Sequence, residues 1–403
     1  KASSTATSCC HRAFRAWPAA RGAHRPPAKL AMTKQMSRVT RREARIFMRL
    51  RLAFTRIGGQ PRKPTMRVLQ YPAFDQLEMR DLDAAPPRPD EVQLKVAACG
   101  VCGSELESVK NRSPRRPPPL VMGHEFVGGV AATGCEVKNW KKGARVVSNS
   151  LVPCGKCVRC TRGDTHLCAH RQIFGMHRPG AFAEYVNVPA RCLIPWPENL
   201  PAEAASLAEP LANGIHIVNL TKHFPAATVL VIGAGPIGLF SQQAMQVLRG
   251  SKVYVADLSP ERLAVATKLG AAGVINSREQ DPAKAMQAVT GGEGADLVID
   301  AVGASATKKT SLEALRPGGV TVWIGLHENT ITFDSYNITL PEKQVLGTYA
   351  AKIEELSHAL QLMASGQVDA LSWVQRFPLE EGVTAFRRML AAKGNDIKAV
   401  ICP

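Results

Sequence analysis

The chain has 403 residues, 45% hydrophobic and 21% charged, enough for two or more domains with separate cores. No apolar run approaches the roughly 20 residues needed to span a bilayer, which excludes a helical membrane protein. The net charge of +18 suggests a nucleic-acid partner until it is located: residues 1–65 hold 16 of the 51 Lys and Arg and one of the 33 acidic residues, Glu43, so the body is nearly balanced and no nucleic acid is expected there.

Residues 1–65 read as a basic extension. The first thirty are rich in Ala, Arg, Ser and Pro and read as disordered. Met36, Val39, Ile46, Phe47, Leu50, Phe54 and Ile57 then recur near helical spacing with arginines between them. Three readings stay open: a segment outside the folded, native protein with a start at Met66, an Arg-rich mitochondrial transit peptide, or an arm for a membrane surface or nucleic acid. Of the eleven cysteines, five fit metal-ligand spacings better than a disulfide framework, which favours a reducing compartment, the cytoplasm if no transit peptide operates.

From Met66 to about residue 200 the pattern is strand-rich with Gly and Pro turns, as in Val92, Leu94 and Val96 alternating with Glu91, Gln93 and Lys95. An irregular antiparallel β domain is expected. It contains Cys99-Gly100-Val101-Cys102-Gly103-Ser104-Glu105 and then Gly123-His124-Glu125; Glu209-Pro210-Leu211 comes later. Singly, each has a plainer reading: a buried cysteine acting as a small hydrophobe, a redox pair of Cys99 and Cys102, or a hydrogen-bonded loop histidine.

Cys154, Cys157, Cys160 and Cys168 have the spacing C-x2-C-x2-C-x7-C. Four nearby thiolates repel one another unless a soft cation shares their charge, and tetrahedral zinc does so. A bacterial iron–sulfur run would place its fourth cysteine four positions on and follow it with proline; here the gap is seven residues and Ala169 follows. Free or disulfide-bonded cysteines remain the other alternative. A closed four-thiolate site leaves no position for substrate and implies structure rather than catalysis.

The texture changes near residue 217. Apolar runs at 229–232, 253–256, 273–275, 297–299 and 320–324 alternate with helical stretches at 239–247 and 262–269, the pattern of an α/β doubly wound parallel sheet. Helices at 354–365 and 379–392 precede a last strand at 399–402. Gly233-Ala234-Gly235-Pro236-Ile237-Gly238 follows a strand and opens a helix, and Asp257 ends the next strand. Gly233 makes the turn, Gly235 lets the backbone approach a pyrophosphate, and Gly238 allows helix and strand to pack closely. Asp257 would accept from ribose hydroxyls and repel a 2′-phosphate, favouring NAD, while Arg262 keeps NADP open.

Together these motifs, with Gly180-Ala181-Phe182-Ala183-Glu184-Tyr185 and Lys398, resemble the zinc-dependent medium-chain dehydrogenase/reductase (alcohol dehydrogenase) family over residues 66–403, and within it the polyol, sorbitol-like dehydrogenases. The resemblance implies a GroES-like catalytic domain at 66–217, an NAD-binding Rossmann domain at 218–350 and a return to the catalytic domain at 351–403. It implies two zinc ions per chain. Cys102, His124 and Glu209 match ligands of a catalytic zinc, and Glu125 a glutamate that binds or swings toward it. Ser104 matches the hydroxyl that relays the alcohol proton. Gly233, Gly235, Pro236, Ile237, Gly238, Asp257 and Arg262 match the cofactor site, and Lys398 either reaches the cofactor phosphates or is a surface lysine.

The implied reaction is oxidation of a secondary alcohol, a polyol or sugar derivative, to a ketone with hydride transfer to NAD. A threonine- or butanediol-type reaction, a sugar-phosphate or sugar-acid substrate, and a non-catalytic nucleotide-binding protein are the alternatives. Homodimers or homotetramers are the family's usual assemblies. Two departures bear on the proton relay: Glu105 stands where aspartate is usual, and Glu107 where many members carry histidine. Arg112, Arg115 and Arg116 read as a solvated basic loop or as an anchor for an anionic substrate, and His177 and Arg178 as further candidates to face it.

Overall fold

The computed structural model describes residues 64–403, so the expectations for the basic extension fall almost wholly outside the described residues. The first half is antiparallel and irregular. Thr65–Tyr71 pairs with Glu78–Asp83 and with Leu120–Val121. A larger sheet has the order Leu193–Pro195, Arg145–Ser148, Glu125–Thr133, Glu91–Gly100, Lys398–Cys402, Val374–Pro378, with Tyr185–Pro189 also pairing with Glu91–Gly100. Its central strand shows the expected alternation in part: Val92, Leu94, Val96 and Ala98 are buried, Gln93 is half-buried and Lys95 exposed, but Glu91, expected to face outward, is buried and paired with Arg178.

The second sheet is parallel throughout, in the order Gly273–Asn276, Lys252–Asp257, Thr228–Ile232, Ala295–Asp300, Leu315–Trp323, Gln344–Gly347. Its central strands are apolar at successive positions because both faces are covered. Val229 and Val231 enter one core while Leu230 and Ile232 enter another. The connection direction reverses at Thr228–Ile232, and an open sheet of this kind has its crevice beyond the carboxyl ends of the strands flanking that reversal.

Several helices have no clear sequence signal, Gly103–Lys110 and the following three among them. Ser305–Glu313 is too polar to show an apolar period, and Pro282–Val289 is a short run. Ala208–Leu220 contains Pro210 and Gly214, which read as breakers, and most of its residues are buried, so it lacks a polar face to set the helical period. Pro210 lies in the first turn, where its missing N–H carries no penalty. Against this helix packs Ile353–Ala364. The last strand, Lys398–Cys402, then runs back beside Glu91–Gly100, with Val400 opposite Gly100 and Ile401 opposite Cys99. No helix among the described residues is long and apolar enough to cross a membrane.

Candidate active site

Two separate segments converge at the carboxyl end of the central antiparallel strand. Cys102 follows Glu91–Gly100 and caps the helix Gly103–Lys110. His124 and Glu125 open the neighbouring strand, where Glu125 lies opposite Gly100. Gly123 precedes them at φ +103°, and a Cβ there would press on Phe182 N at 2.7 Å and Cys99 Sγ at 2.8 Å. One ligand atom each from Cys102, His124 and Glu125 lies within 4.8 Å of the others. Cys99 is wholly buried, and burial, then the Glu105 and Glu125 carboxylates, pushes its thiol well up, away from the thiolate a redox pair with the partly exposed Cys102 would need.

Glu105 holds this cluster together. Its Oε1 accepts from Gly123 N at 2.8 Å and pairs with His124 Nδ1 at 2.9 Å, and its Oε2 accepts from Cys102 N at 3.1 Å. One carboxylate thus fixes the backbone beside one candidate ligand and the ring of another. The bond to Nδ1 leaves Nε2 of His124 free to coordinate, the arrangement metal-binding histidines use. Burial pushes Glu105's carboxyl up, but His124 and then Arg116 outweigh it and hold the group below its ordinary range. From a position where aspartate is usual, the longer glutamate thus orients the histidine ring.

Glu209 reaches the same region from the first turn of Ala208–Leu220. Ser150 Oγ donates to its Oε1 at 3.3 Å and Asn213 Nδ2 to its Oε2 at 3.2 Å. Burial, then the Glu125 carboxylate, raises its pKa, while His124 and Lys398 act in the opposite direction. It stands outside the tight three-residue group. Lys398 is neither on the surface nor free for a phosphate: it is 2% exposed, and its Nζ donates to Val101 O at 2.8 Å and to Glu125 Oε2. The sequence shows no sign of this pair, whose members are 273 positions apart.

The four cysteines of the loop also converge. The Sγ of Cys157 lies 3.6 Å from that of Cys160 and 3.7 Å from that of Cys168, and Cys154 and Cys160 are 4.0 Å apart. A disulfide requires about 2.05 Å. Tetrahedral zinc with Zn–S bonds of about 2.3 Å sets sulfurs about 3.8 Å apart, so the donor set fits that ion. Cys154 N donates to Cys168 Sγ at 3.3 Å, and the Cys160 backbone N–H is the leading cause that brings the Cys157 thiol down to about 6. Gly155 turns at φ +77° with open space around it.

At the parallel sheet, the glycine turn leads into the helix Pro236–Arg249, whose N-cap is Gly235. Gly233 sits at φ +101°, and a Cβ on Gly238 would collide with Gly233 O. Gly235 differs. At φ −82° its backbone suits any residue, and an added Cβ would meet only Arg262 Nη1, at 3.9 Å. Packing does not require glycine there, so the space is a cradle at a helix N-terminus that suits a phosphate. Asp257 ties the turn down, accepting from Ala234 N at 2.7 Å and Ser259 N at 2.9 Å. Val302, part-exposed, borders the turn; a Cβ on Gly233 would lie 2.7 Å from its Cγ2.

Gly235→Val is therefore expected to keep thermal stability near wild type while weakening NADH binding at least about tenfold, a change of about 1.4 kcal/mol. Gly238→Ala should instead destabilise the fold by about 1–3 kcal/mol. Fluorescence titration and thermal unfolding separate the two; undiminished binding by Gly235→Val would remove the phosphate cradle.

The basic loop divides. Arg112 pairs with Asp75 at the surface, Arg115 is exposed, and Arg116 is buried against Ser104 and Ser108. Arg178 is committed to Glu91 and Gln172, and His177 Nδ1 accepts from Ile173 N at 3.2 Å. Glu107 accepts from Asn111 on its own helix.

Two family models match the chain: Alcohol dehydrogenase GroES-like domain over residues 88–198 and Zinc-binding dehydrogenase over residues 236–365. The chain is 32% identical over 338 residues to D-arabitol-phosphate dehydrogenase of Enterococcus avium, covering 82% of this chain and 95% of that protein. It is 35% identical over 321 residues to an L-threonine 3-dehydrogenase of Bacillus velezensis, covering 78% and 92%. Among solved structures, a zinc-binding dehydrogenase of Sinorhizobium meliloti 1021 bound to NADP superposes with a TM-score of 0.78 at 28% identity, over 84% of this chain and all of that one.

Proposed function

The chain belongs to the zinc-containing medium-chain alcohol dehydrogenase family and is a zinc-dependent NAD(P) dehydrogenase; from that premise we propose that it oxidises the secondary hydroxyl of a polyol or sugar derivative to a ketone, with NAD as hydride acceptor. The observation that carries this reading is the convergence of Cys102, His124 and Glu125 beside Glu209 and the exposed Ser104. A thiolate, an imidazole and a carboxylate suit an open zinc site, in contrast to the closed four-thiolate loop.

In the proposed reaction, Cys102, His124 and Glu209 would hold the catalytic zinc, with Glu125 able to bind or swing toward it. Bound zinc supplies a Lewis acid that eases loss of the alcohol proton, and NAD supplies the hydride acceptor. Glu105 sets the His124 tautomer through Nδ1. Lys398 keeps Glu125 paired when it is not at the metal. Ser104, on the first turn after Cys102, takes the proton that leaves the alcohol. Gly235, Pro236, Ile237 and Gly238 cradle the cofactor pyrophosphate at the helix N-terminus, with Arg262 beside it.

NAD is favoured over NADP because the Asp257 carboxylate ends its strand beside that turn and would oppose a 2′-phosphate. Its oxygens keep acceptor capacity for ribose hydroxyls beyond the two backbone bonds. A neutral substrate is favoured because Arg116 and Arg112, two of the three loop arginines, are already paired. Self-association as a homodimer or homotetramer is part of the same reading: Leu326, Phe333, Tyr336 and Leu340 expose apolar surface within one segment. No disulfide joins the cysteines of the described residues, in keeping with a reducing, cytoplasmic setting.

A panel of sorbitol, 2,3-butanediol, threonine, sugar phosphates and sugar acids, each with NAD and NADP, tests the proposal. The expected result is NADH formation with the highest kcat/KM for a neutral polyol. Turnover of threonine alone, or a preference for NADP, would contradict it.

A further inference from the structure

We propose that Arg116 is a positioning residue for Ser104, orienting the hydroxyl that receives the alcohol proton. The inference rests on the role given to Ser104 above. Arg116 is 4% exposed, although Arg112 and Arg115 on the same loop are exposed. A buried guanidinium is costly unless it is paired and hydrogen-bonded. Arg116 Nη1 donates to Ser104 O at 2.7 Å and Ser108 Oγ at 3.0 Å, and its Nη2 donates to Ser104 Oγ at 3.2 Å. Ser108 Oγ donates to the same Ser104 carbonyl at 2.7 Å. Both the backbone and the hydroxyl of Ser104 are thus held by one rigid fork.

The direction of the last bond matters. Guanidinium has donors and no acceptor, so Ser104 Oγ must accept from it. The serine hydrogen is therefore turned away from Arg116, and Ser104 Oγ donates to Cys102 Sγ at 3.3 Å. Without Arg116, an exposed serine hydroxyl would sample several rotamers. With it, one lone pair is occupied and the oxygen stays beside the candidate metal ligand. In the reaction the alcohol O–H bond breaks, its proton bonds to Ser104 Oγ, and the serine's original hydrogen leaves to solvent water, to which Ser104 is open. A displacement of about 1 Å in such a group lowers turnover about 100-fold.

The test is a double-mutant cycle on the zinc-loaded full chain, with sorbitol and 2,3-butanediol as probes. Arg116→Gln is expected to lower kcat about 10–100-fold, with zinc content and the KM for NAD unchanged. Arg116→Lys, which keeps the buried charge but not the fork, should recover part of the loss. Ser104→Ala should be impaired at least as much as Arg116→Gln, and adding Arg116→Gln to it should cause no further loss, because coupled residues are non-additive. Losses that multiply in full, or a loss that tracks missing zinc, would overturn the proposal. If Arg116→Gln does not fold, the same cycle is read with Arg116→Lys, and a loss that persists undiminished in Ser104→Ala overturns it. Ser104→Ala at the wild-type rate would overturn the relay role of Ser104 and this proposal with it. Arg116→Gln at the wild-type rate beside an impaired Ser104→Ala would overturn this proposal alone.

Discussion

Lys398→Met is expected to destabilise the protein by about 3–5 kcal/mol, the usual consequence of removing one partner from a buried ion pair. Lys398 and Glu125 are 2% and 1% exposed, so neither charge can turn to water when the other is lost. Burial lowers the lysine's affinity for its proton, but Glu125 outweighs it and keeps the ammonium charged above its ordinary range. Without that cation the Glu125 carboxylate faces Glu209, whose pKa already rises through burial and then through Glu125. The double substitution Lys398→Met/Glu125→Gln should recover most of the loss, because it removes the uncompensated charge. Urea unfolding of the wild type and these two variants measures both effects; a Lys398→Met variant within about 0.5 kcal/mol of wild type, the range of most surface substitutions, would contradict the buried pair.

Glu105→Gln is expected to weaken zinc binding at the Cys102–His124 centre about 10–100-fold, as is usual when a group that orients a ligand is lost. The side chain keeps its size but loses its charge and one acceptor oxygen. Glu105 serves Gly123 N, His124 Nδ1 and Cys102 N through two oxygens. An amide NH2 set against any of these donors would leave it without an acceptor, and a buried donor left unpaired costs about 1–3 kcal/mol. Metal competition with a chelator, following the more labile zinc, reads the change. The four-cysteine loop should release its metal as in wild type, and an unchanged affinity at the first centre would show that Glu105 does not orient its ligands.

The parts of this molecule legible in the sequence were those whose signal is local. The four-cysteine spacing and the glycine turn each fall within a short run; the four sulfurs lie together and the turn opens a helix. The parallel strands were legible because burial on both faces leaves continuous apolar runs. What stayed hidden was pairing between distant positions. Nothing at Lys398 signals Glu125, and nothing in an arginine-rich loop separates the buried Arg116 from the exposed Arg115. The extra methylene of Glu105 read as a defect in the relay. In the folded protein its length reaches three donors at once. A fit of this kind depends on where strand and helix ends meet, which residue type alone does not carry.

Metal content and turnover, measured together before and after chelation, test the zinc-dependent chemistry most directly. The full chain is expected to carry about two zinc ions, one in the closed thiolate loop and one at the open centre. Chelation that removes the second should abolish NADH formation with the best alcohol of the panel, leave NADH binding at the glycine turn intact, and be reversed by added zinc. Undiminished turnover after that metal has gone would contradict the assignment of catalysis to Cys102, His124 and Glu209.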